Sequence, residues 1–253
     1  MKTGFRVFLV SFVALGLSWW GFVLGPVLQL GAGQQTTVLN SSQIYPNQRP
    51  GDAALGLQVY RAYGCAACHT TQVRQEGVVC DVVLTKAGNS PTVVSNLIAT
   101  LKLTGLTKDQ ADAVSAQITA AGGKTETHIV PTGPDIPRWG PRRSVAEDFL
   151  WDNPVQLGNN RVGPDLANVG LRGDATWFYG HLWNPRSYVT NSIMPSYQFL
   201  FKSKSSGSPL SFETEPTDDA KNLVAYLMSL RADVPLHDAP FTAATPAAGA
   251  QKQ

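Results

Sequence analysis

Apolar residues are concentrated near the start of the chain and return later only in short periodic stretches. A nearly unbroken apolar run extends from Val7 to Leu30, with Lys2 and Arg6 before it. These roughly 24 residues would form a helix about 36 Å long, which is enough to cross a bilayer. Residues 1–31 are therefore predicted to be a membrane anchor. The alternative is a cleaved signal peptide, for which Leu30-Gly31-Ala32-Gly33 offers a weak cleavage site.

The residues around this run predict its orientation. Basic residues precede it, and no acidic residue occurs before Asp52. Because positive charge stays on the cytoplasmic side of a membrane, the rest of the chain is expected on the outside. Residues 32–51 are rich in small and polar residues without apolar periodicity, and they are predicted to be a linker.

The pattern after the linker predicts a mostly α-helical domain over residues 52–234. Helices are expected from Asp52 to Tyr63, from Trp177 to Trp183 and from Thr217 to Arg231, with Asp52 and Thr217 as the N-caps of the first and the last. The last has an apolar stripe along one face, and Met228 within it is expected to belong to the core.

Two other stretches lack a helical pattern. Lys202 to Pro216 is expected to be a polar loop. Residues 235–253, rich in Ala, Pro, Thr and Gln, are expected to be a disordered tail.

Residues 77–137 differ in character from the rest of the domain and are interpreted as a helical insertion. Amphipathic helices are predicted over 93–103 and 107–121, the second opening with a capping-box pattern at Thr107. Because no cluster of Cys and His occurs here, a docking or covering element is expected, with His128 exposed to solvent.

Composition changes this picture little. The 253 residues carry a formal net charge of +2 without a basic face or an acidic tail, so no nucleic-acid partner is expected. The 17 prolines and 23 glycines indicate a loop-rich chain, which suits a small protein built around a cofactor.

The strongest chemical signal is the segment Cys65-Ala-Ala-Cys68-His69. In a tight turn, residues three apart lie on one side, so both thiols can reach one edge of a porphyrin while the next residue reaches under the ring. This is the pattern of a c-type haem attachment site, where each thiol bonds to a vinyl group and the histidine ligates the iron. One covalently bound haem c is therefore predicted.

Other uses of paired cysteines fit the sequence less well. A zinc site would need two more ligands, and Cys80 is the only cysteine left. A thioredoxin-like disulfide would lie among alternating strands and helices, a pattern that we do not find. Cys80 itself is expected to be a buried small residue or a free thiol.

The second axial ligand is expected to be Met194, in a loop where Pro195 follows it directly and opposes helix formation. A methionine sulfur opposite histidine raises the haem potential and closes the iron to outside ligands, which favours electron transfer. His181 is the alternative ligand. Trp177 is a candidate for the wall of the haem pocket.

Seven segments carry a resemblance to a known family. They are 64–74, 138–144, 147–149, 152–154, 158–170, 181–186 and 192–197. Their residues and order resemble a membrane-anchored class I cytochrome c, and more narrowly the mono-haem cytochrome c subunit (subunit II) of cbb-type haem-copper oxidases. The chain departs from the family in the long insertion and at Arg74-Gln75, where Arg-Pro is common.

The resemblance implies roles for individual residues. Cys65 and Cys68 would form the thioether bonds, and His69 and Met194 would be the axial ligands. The carbonyl of Pro164 would accept a hydrogen bond from the His69 ring and so hold its orientation.

Two arginines have a less specific implied role. Arg161 and Arg186 are candidates to neutralise the haem propionates, and each could equally be a surface charge.

The resemblance also implies a function. Electrons from a donor cytochrome c or cupredoxin would pass through this haem to a separate haem-copper catalytic subunit, in a complex with other cytochrome c subunits. The chain would be an electron-transfer subunit and no enzyme by itself. One span would hold it in the bacterial cytoplasmic membrane, with the haem domain on the periplasmic side.

Three alternatives stay open at this point. The small cytochrome subunit of a nitric oxide reductase shares the single anchor and single haem, although segments 158–170 and 181–186 fit the oxidase subunit better. A stand-alone anchored electron shuttle is also compatible with the linker. A peroxidase-like enzyme would need an open iron position, which Met194 argues against.

Overall fold

The computed structural model describes residues 2–30, 33–88, 90–136, 138–205 and 212–241. It begins with one long helix, composed of α1 (Lys2–Trp19), a π-helical stretch (Trp20–Leu24) and α2 (Gly25–Leu30). Within Thr3–Leu28, a window of 18 residues has a mean hydropathy of 2.1 and is not buried at all. By length and composition this helix could cross a membrane, and no other helix in the described residues could.

The domain that follows is organised around the crossing of α3 (Gly51–Ala62) and α7 (Asp218–Ser229). At Gly56 a Cβ atom would overlap the carbonyl of Asn222 and lie 2.7 Å from Cβ of Tyr226, so the helices approach as closely as a glycine permits. The core around the crossing contains Leu57, Tyr60, Leu166, Phe178, Leu182, Leu200, Leu223, Val224, Tyr226 and Leu227.

The predicted helices of this domain are confirmed, with two corrections. Thr217 caps α7 as expected, accepting a hydrogen bond from the Ala220 amide. Asp52 is not the cap of α3, because the helix starts after Pro50 and Asp52 lies in its first turn. Met228 is 38% exposed, so its placement in the core was wrong.

The insertion folds as β3 (Gly77–Lys86), α4 (Pro91–Thr100), α5 (Lys108–Ala120) and β4 (Lys124–Thr132). Both predicted helices are present, but the antiparallel β3–β4 pair was not foreseen. The insertion has a hydrophobic cluster of its own, formed by Cys80, Val82, Val94, Leu106, Ala111, Val114 and Ile118. Cys80 is buried as expected, whereas His128 on β4 is half-buried rather than exposed.

The predicted linker and tail contribute to the fold. The short strands β1 (Thr36–Thr37) and β2 (Ile44–Tyr45) pair antiparallel. A third cluster joins this ribbon to the end of the chain through Val38, Tyr45, Val145, Leu236 and Ala239. The spacer and disorder predictions are therefore wrong for these residues, and the rest of the tail, 242–253, lies outside the described residues.

Two further elements complete the domain. α6 (Ala175–Trp183) begins after Asp174, whose side chain accepts from the Trp177 amide at 2.8 Å. The stretch expected to be a polar loop forms an antiparallel hairpin of β5 (Phe201–Ser205) and β6 (Phe212–Pro216), whose connecting residues 206–211 lie outside the described residues.

Candidate cofactor site

The paired cysteines lie in a tight turn directly after α3. Gly64 has a φ of +66°, which lets the chain leave the helix. The amides of Cys68 and His69 then both donate to the Cys65 carbonyl, at 3.2 and 3.0 Å. Both cysteines are free thiols, Cys65 half-buried and Cys68 exposed. Burial raises the pKa of Cys65 to about 11, so this thiol is protonated at neutral pH.

The segment 163–166 runs alongside the cysteine turn and holds the His69 ring. The Gly163 amide donates to the Cys68 carbonyl at 2.9 Å, and Nδ1 of His69 donates to the Pro164 carbonyl at 2.8 Å. Burial lowers the pKa of His69 even though this hydrogen bond works in the opposite direction. A neutral imidazole with its proton on Nδ1 has a lone pair on Nε2, which is the form that ligates a metal.

Gly163 lies against the histidine ring. A Cβ atom at this position would overlap the ring and lie 2.7 Å from Nδ1 and 2.9 Å from Nε2 of His69. Gly158, with a φ of +78°, approaches the next residue in the same way, since a Cβ there would be 2.9 Å from Cα of Thr70. These contacts leave room only for glycine and restrict how the imidazole can move.

Met194 lies in a loop that is tied to α6. Its own amide donates to Oγ of Ser192 at 3.3 Å, and the Tyr197 amide donates to the Leu182 carbonyl at 2.8 Å. Met194, Cys65 and Trp177 are all half-buried and pack against the hydrophobic core around the α3–α7 crossing. The structure thus brings the predicted thioether, one predicted thiol and the predicted wall residue to the same apolar cluster.

Helix α6 contributes an aromatic group to this cluster. The rings of Trp177 and His181 stack with centroids 4.7 Å apart, and Tyr188 meets the His181 ring edge-on at 6.0 Å. Burial, followed by the nearby His69, lowers the pKa of His181. Nδ1 of His181 is buried and has no hydrogen-bond partner among the described residues. Such an orphaned atom is costly, and a polar group bound beside it would remove that cost.

The two candidate arginines have different surroundings. The Arg161 guanidinium contacts Asp135 and Asp165, two buried carboxylates that the sequence analysis did not single out. Asp165 could have been suspected because it follows Pro164, whereas Asp135 carries no sequence signal. Arg186 is exposed and donates to the Ser192 carbonyl at 3.1 Å, close in sequence to Met194.

These residues fit a covalently attached haem by the chemistry of their donors. Two thiols and an imidazole share one turn, and a thioether lies on a separate loop against an apolar, aromatic cluster. That is the donor set of a c-type haem with histidine and methionine ligands. Among the described residues, no group of three or more His, Cys, Asp or Glu side chains is placed to hold a bare metal ion.

Comparison with known families gives one match. Residues 125–226 match the family model "Cytochrome C oxidase, mono-heme subunit/FixO". The matched span contains the His69-facing segment 163–166, α6 and the Met194 loop, and it ends within α7. The resemblance inferred from the sequence motifs is thereby confirmed. A search of curated proteins found no match.

Proposed function

Because residues 125–226 match the family of mono-haem subunits of cytochrome c oxidase, we propose that this chain carries one haem c and passes electrons to the catalytic subunit of a cbb-type haem-copper oxidase. The observation that carries the proposal is the pairing of the Cys65–His69 turn with the Gly163–Leu166 segment, which lies within the residues 125–226 that match that family. The donor would be a cytochrome c or a cupredoxin.

The proposed attachment uses the cysteine turn. Cys65 and Cys68 would hold the group through two thioether bonds, each formed by addition of the S–H across a haem vinyl double bond, with sulfur on one carbon and hydrogen on the other. His69 Nε2 and Met194 Sδ would ligate its iron, and the group would supply reversible one-electron transfer. Trp177 packs against the ring in this proposal.

Among the arginines, Arg186 is the better candidate for a propionate partner. Its side chain is exposed beside the Met194 loop, whereas Arg161 is already engaged with carboxylates.

The proposed location is the bacterial cytoplasmic membrane. The N-terminal helix would span it once, and the basic residues before the helix would stay in the cytoplasm. The domain would then lie on the periplasmic side, where it can meet a soluble donor and other cytochrome subunits.

Oxygen uptake by the captured complex tests this function. The full chain is tagged, isolated from its native membrane in mild detergent, and supplied with chemically reduced cytochrome c. We expect rapid, cyanide-sensitive oxygen uptake carried by a co-purifying haem-copper subunit. A Cys65→Ser/Cys68→Ser chain in the same background should lack covalent haem and this activity.

Two outcomes would overturn the proposal. A chain with one haem that is isolated alone and consumes no oxygen would be a free anchored shuttle. A complex that consumes nitric oxide instead of oxygen would be a nitric oxide reductase.

A further inference from the structure

Arg161 joins parts of the chain that are far apart in sequence. Its Nε donates to Oγ1 of Thr70 at 2.8 Å, and its Nη1 donates to Oδ1 of Asp135 at 2.5 Å. Its Nη2 donates to the Gln72 carbonyl and lies 3.5 Å from Oδ2 of Asp165. All three guanidinium nitrogens are therefore engaged within the protein.

Asp165 holds together the two segments that carry the His69–Pro164 hydrogen bond. It is fully buried, and its Oδ2 accepts from the Thr70 hydroxyl at 2.5 Å and from the Gln72 amide at 2.9 Å. Its Oδ1 accepts from the Ala167 amide at 2.8 Å. Because the residue directly follows Pro164, these bonds determine where the Pro164 carbonyl lies relative to His69.

Asp135 holds together the two ends of the insertion. It is 1% exposed, and its Oδ2 accepts from the Arg74 amide at 2.8 Å and from Nε of Arg74 at 3.1 Å. Beside it, the Glu76 amide donates to the Thr132 carbonyl at 2.9 Å. Arg161 thus lies between the base of the insertion on one side and the His69 segment on the other.

We propose that Arg161 and Asp135 are positioning residues for His69, which hold its ring through Thr70, Gln72 and Asp165. The proposal rests on the function proposed above, in which His69 ligates the iron. It assigns Arg161 a role different from propionate neutralisation, and it gives the base of the insertion a role at the cofactor.

The shape of the arginine side chain is as important here as its charge. A guanidinium presents several donors in a rigid plane, whereas a lysine ammonium is a point charge on a flexible stem. Arg161 serves four acceptors on four different residues. A lysine at this position would keep the charge and lose the geometry, so it separates positioning from simple electrostatics.

The test compares full-length holo-protein of the wild type with Arg161→Lys and Asp135→Asn. Electron paramagnetic resonance of the ferric form reports the orientation of the imidazole ring, and a redox titration reports the midpoint potential. Asp112→Asn is the matched control, because it breaks an exposed ion pair with Lys108 on the same insertion. Amide hydrogen exchange at Leu166, which donates to the Thr70 carbonyl at 2.7 Å, is measured on each variant as a readout that does not need the cofactor.

We expect Arg161→Lys to shift the principal g values and to accelerate exchange at Leu166, although the charge is conserved. Asp135→Asn should do the same and also raise the midpoint potential, because a buried negative charge that is linked to the His69 segment through Arg161 is lost. The control should match the wild type in all three measurements. Unchanged g values and unchanged exchange in Arg161→Lys would overturn the proposal.

Two further outcomes are distinguishable. If a charged-residue variant fails to fold, Thr70→Val removes only the hydroxyl between Arg161 and Asp165, and an unchanged g spectrum and exchange rate in that variant would overturn the proposal. If the wild type carries no covalent haem, the proposed function fails. Exchange at Leu166 then tests the positioning of the His69 segment without the cofactor, and an exchange rate that Arg161→Lys leaves unchanged would overturn the positioning as well.

Discussion

At the scale of single residues, the site depends on contacts that leave no room for an added atom. Gly163 lies directly against the His69 ring, and its amide pairs with the Cys68 carbonyl. The ring is therefore held from one side by backbone and from its Nδ1 by the Pro164 carbonyl. Any side chain at position 163 must displace either the imidazole or the backbone pairing that positions it.

Gly163→Ala should destabilise the protein by about 1–3 kcal/mol, which is the usual cost of overpacking. It should also lower the yield of covalently loaded protein, because the displaced ring no longer faces the cofactor position. Denaturant unfolding and intact mass measure the two effects. Gly51→Ala is the control, since a Cβ there meets nothing within 4 Å; equal stability of both variants would contradict the prediction.

The ionisation of Asp135 should make stability depend on pH under acid conditions. Burial acts to raise the pKa of Asp135, but hydrogen bonds from Arg161 and Arg74 outweigh it and lower the pKa to about 2. A carboxylate with a depressed pKa stabilises the fold above its unfolded pKa, and this contribution is lost as the pH falls through the folded value. Urea unfolding between about pH 5 and pH 2 should therefore show a smaller loss of stability for Asp135→Asn than for the wild type. If stability falls equally with pH in the two proteins, the ionisation of Asp135 does not contribute to the acid dependence of stability.

The residues proposed to hold the cofactor were accessible from sequence when they belong to a local motif. The turn at Cys65–His69 and the Met194-Pro195 pair are recognisable because their chemistry needs neighbouring residues. The partner of Arg161 was not accessible, because Asp135 lies in a turn-rich stretch and meets the arginine only when the insertion has folded. Two buried charged residues that are distant in sequence and meet only in the folded protein produce no periodic pattern in the sequence.

At the scale of elements, the insertion behaves as a unit with its own core. β3 and β4 pair from Gly77–Thr132 to Lys86–Lys124, so the insertion leaves and rejoins the domain at one point. Its hydrophobic cluster shares no residue with the core around the α3–α7 crossing. The strands were missed because the helical segments between them dominated the interpretation, although Val78, Val79, Val82 and Val83 are β-branched residues typical of a strand.

Replacing residues 78–131 by Asn-Gly should leave the rest of the domain folded. Gly77 and Thr132 are directly paired, and Asn-Gly is the preferred two-residue turn between such partners. Because Arg74 and Asp135 are kept, the visible spectrum and the g values should match those of the full chain. Loss of covalent haem in the shortened protein, at normal expression, would show that the distal insertion supports the site.

Helix α7 shows which part of an element can be predicted. Its cap and its stripe follow from the sequence, since Leu223, Tyr226 and Leu227 recur at helical spacing. Met228 is one position away from Leu227 and so is turned by about 100° around the helix axis. We predicted Met228 to be in the core because it is hydrophobic. Its angular position instead places it on the half-exposed face of the helix.

At the scale of the whole molecule, the two ends of the described domain close on each other. The Leu39 amide donates to the Pro235 carbonyl at 2.9 Å, and Leu236 is 1% exposed beside Val38 and Tyr45. The buried Arg142 reinforces this region by donating to Asp148 and to the Val234 carbonyl. Isolated apolar residues in polar surroundings have no periodicity, which is why the sequence suggested a spacer and a tail instead.

Leu236→Ala should lower the free energy of unfolding by about 2–5 kcal/mol, the range for removing a buried leucine side chain. The neighbouring His237 is exposed, so His237→Ala should change the free energy of unfolding by less than about 0.5 kcal/mol. Thermal or denaturant unfolding of the two variants measures the difference. Similar values for both would mean that the end of the domain does not contribute to its stability.

The crossing of α3 and α7 has a consequence for how the protein is made. A chain is synthesised from its N-terminus, so the cysteine turn emerges long before the helix that completes its surroundings. Contacts between segments so distant in sequence also form slowly. The two thiols therefore remain accessible on an unfinished fold, and under the proposed function a cofactor would have to be attached to them before α7 arrives.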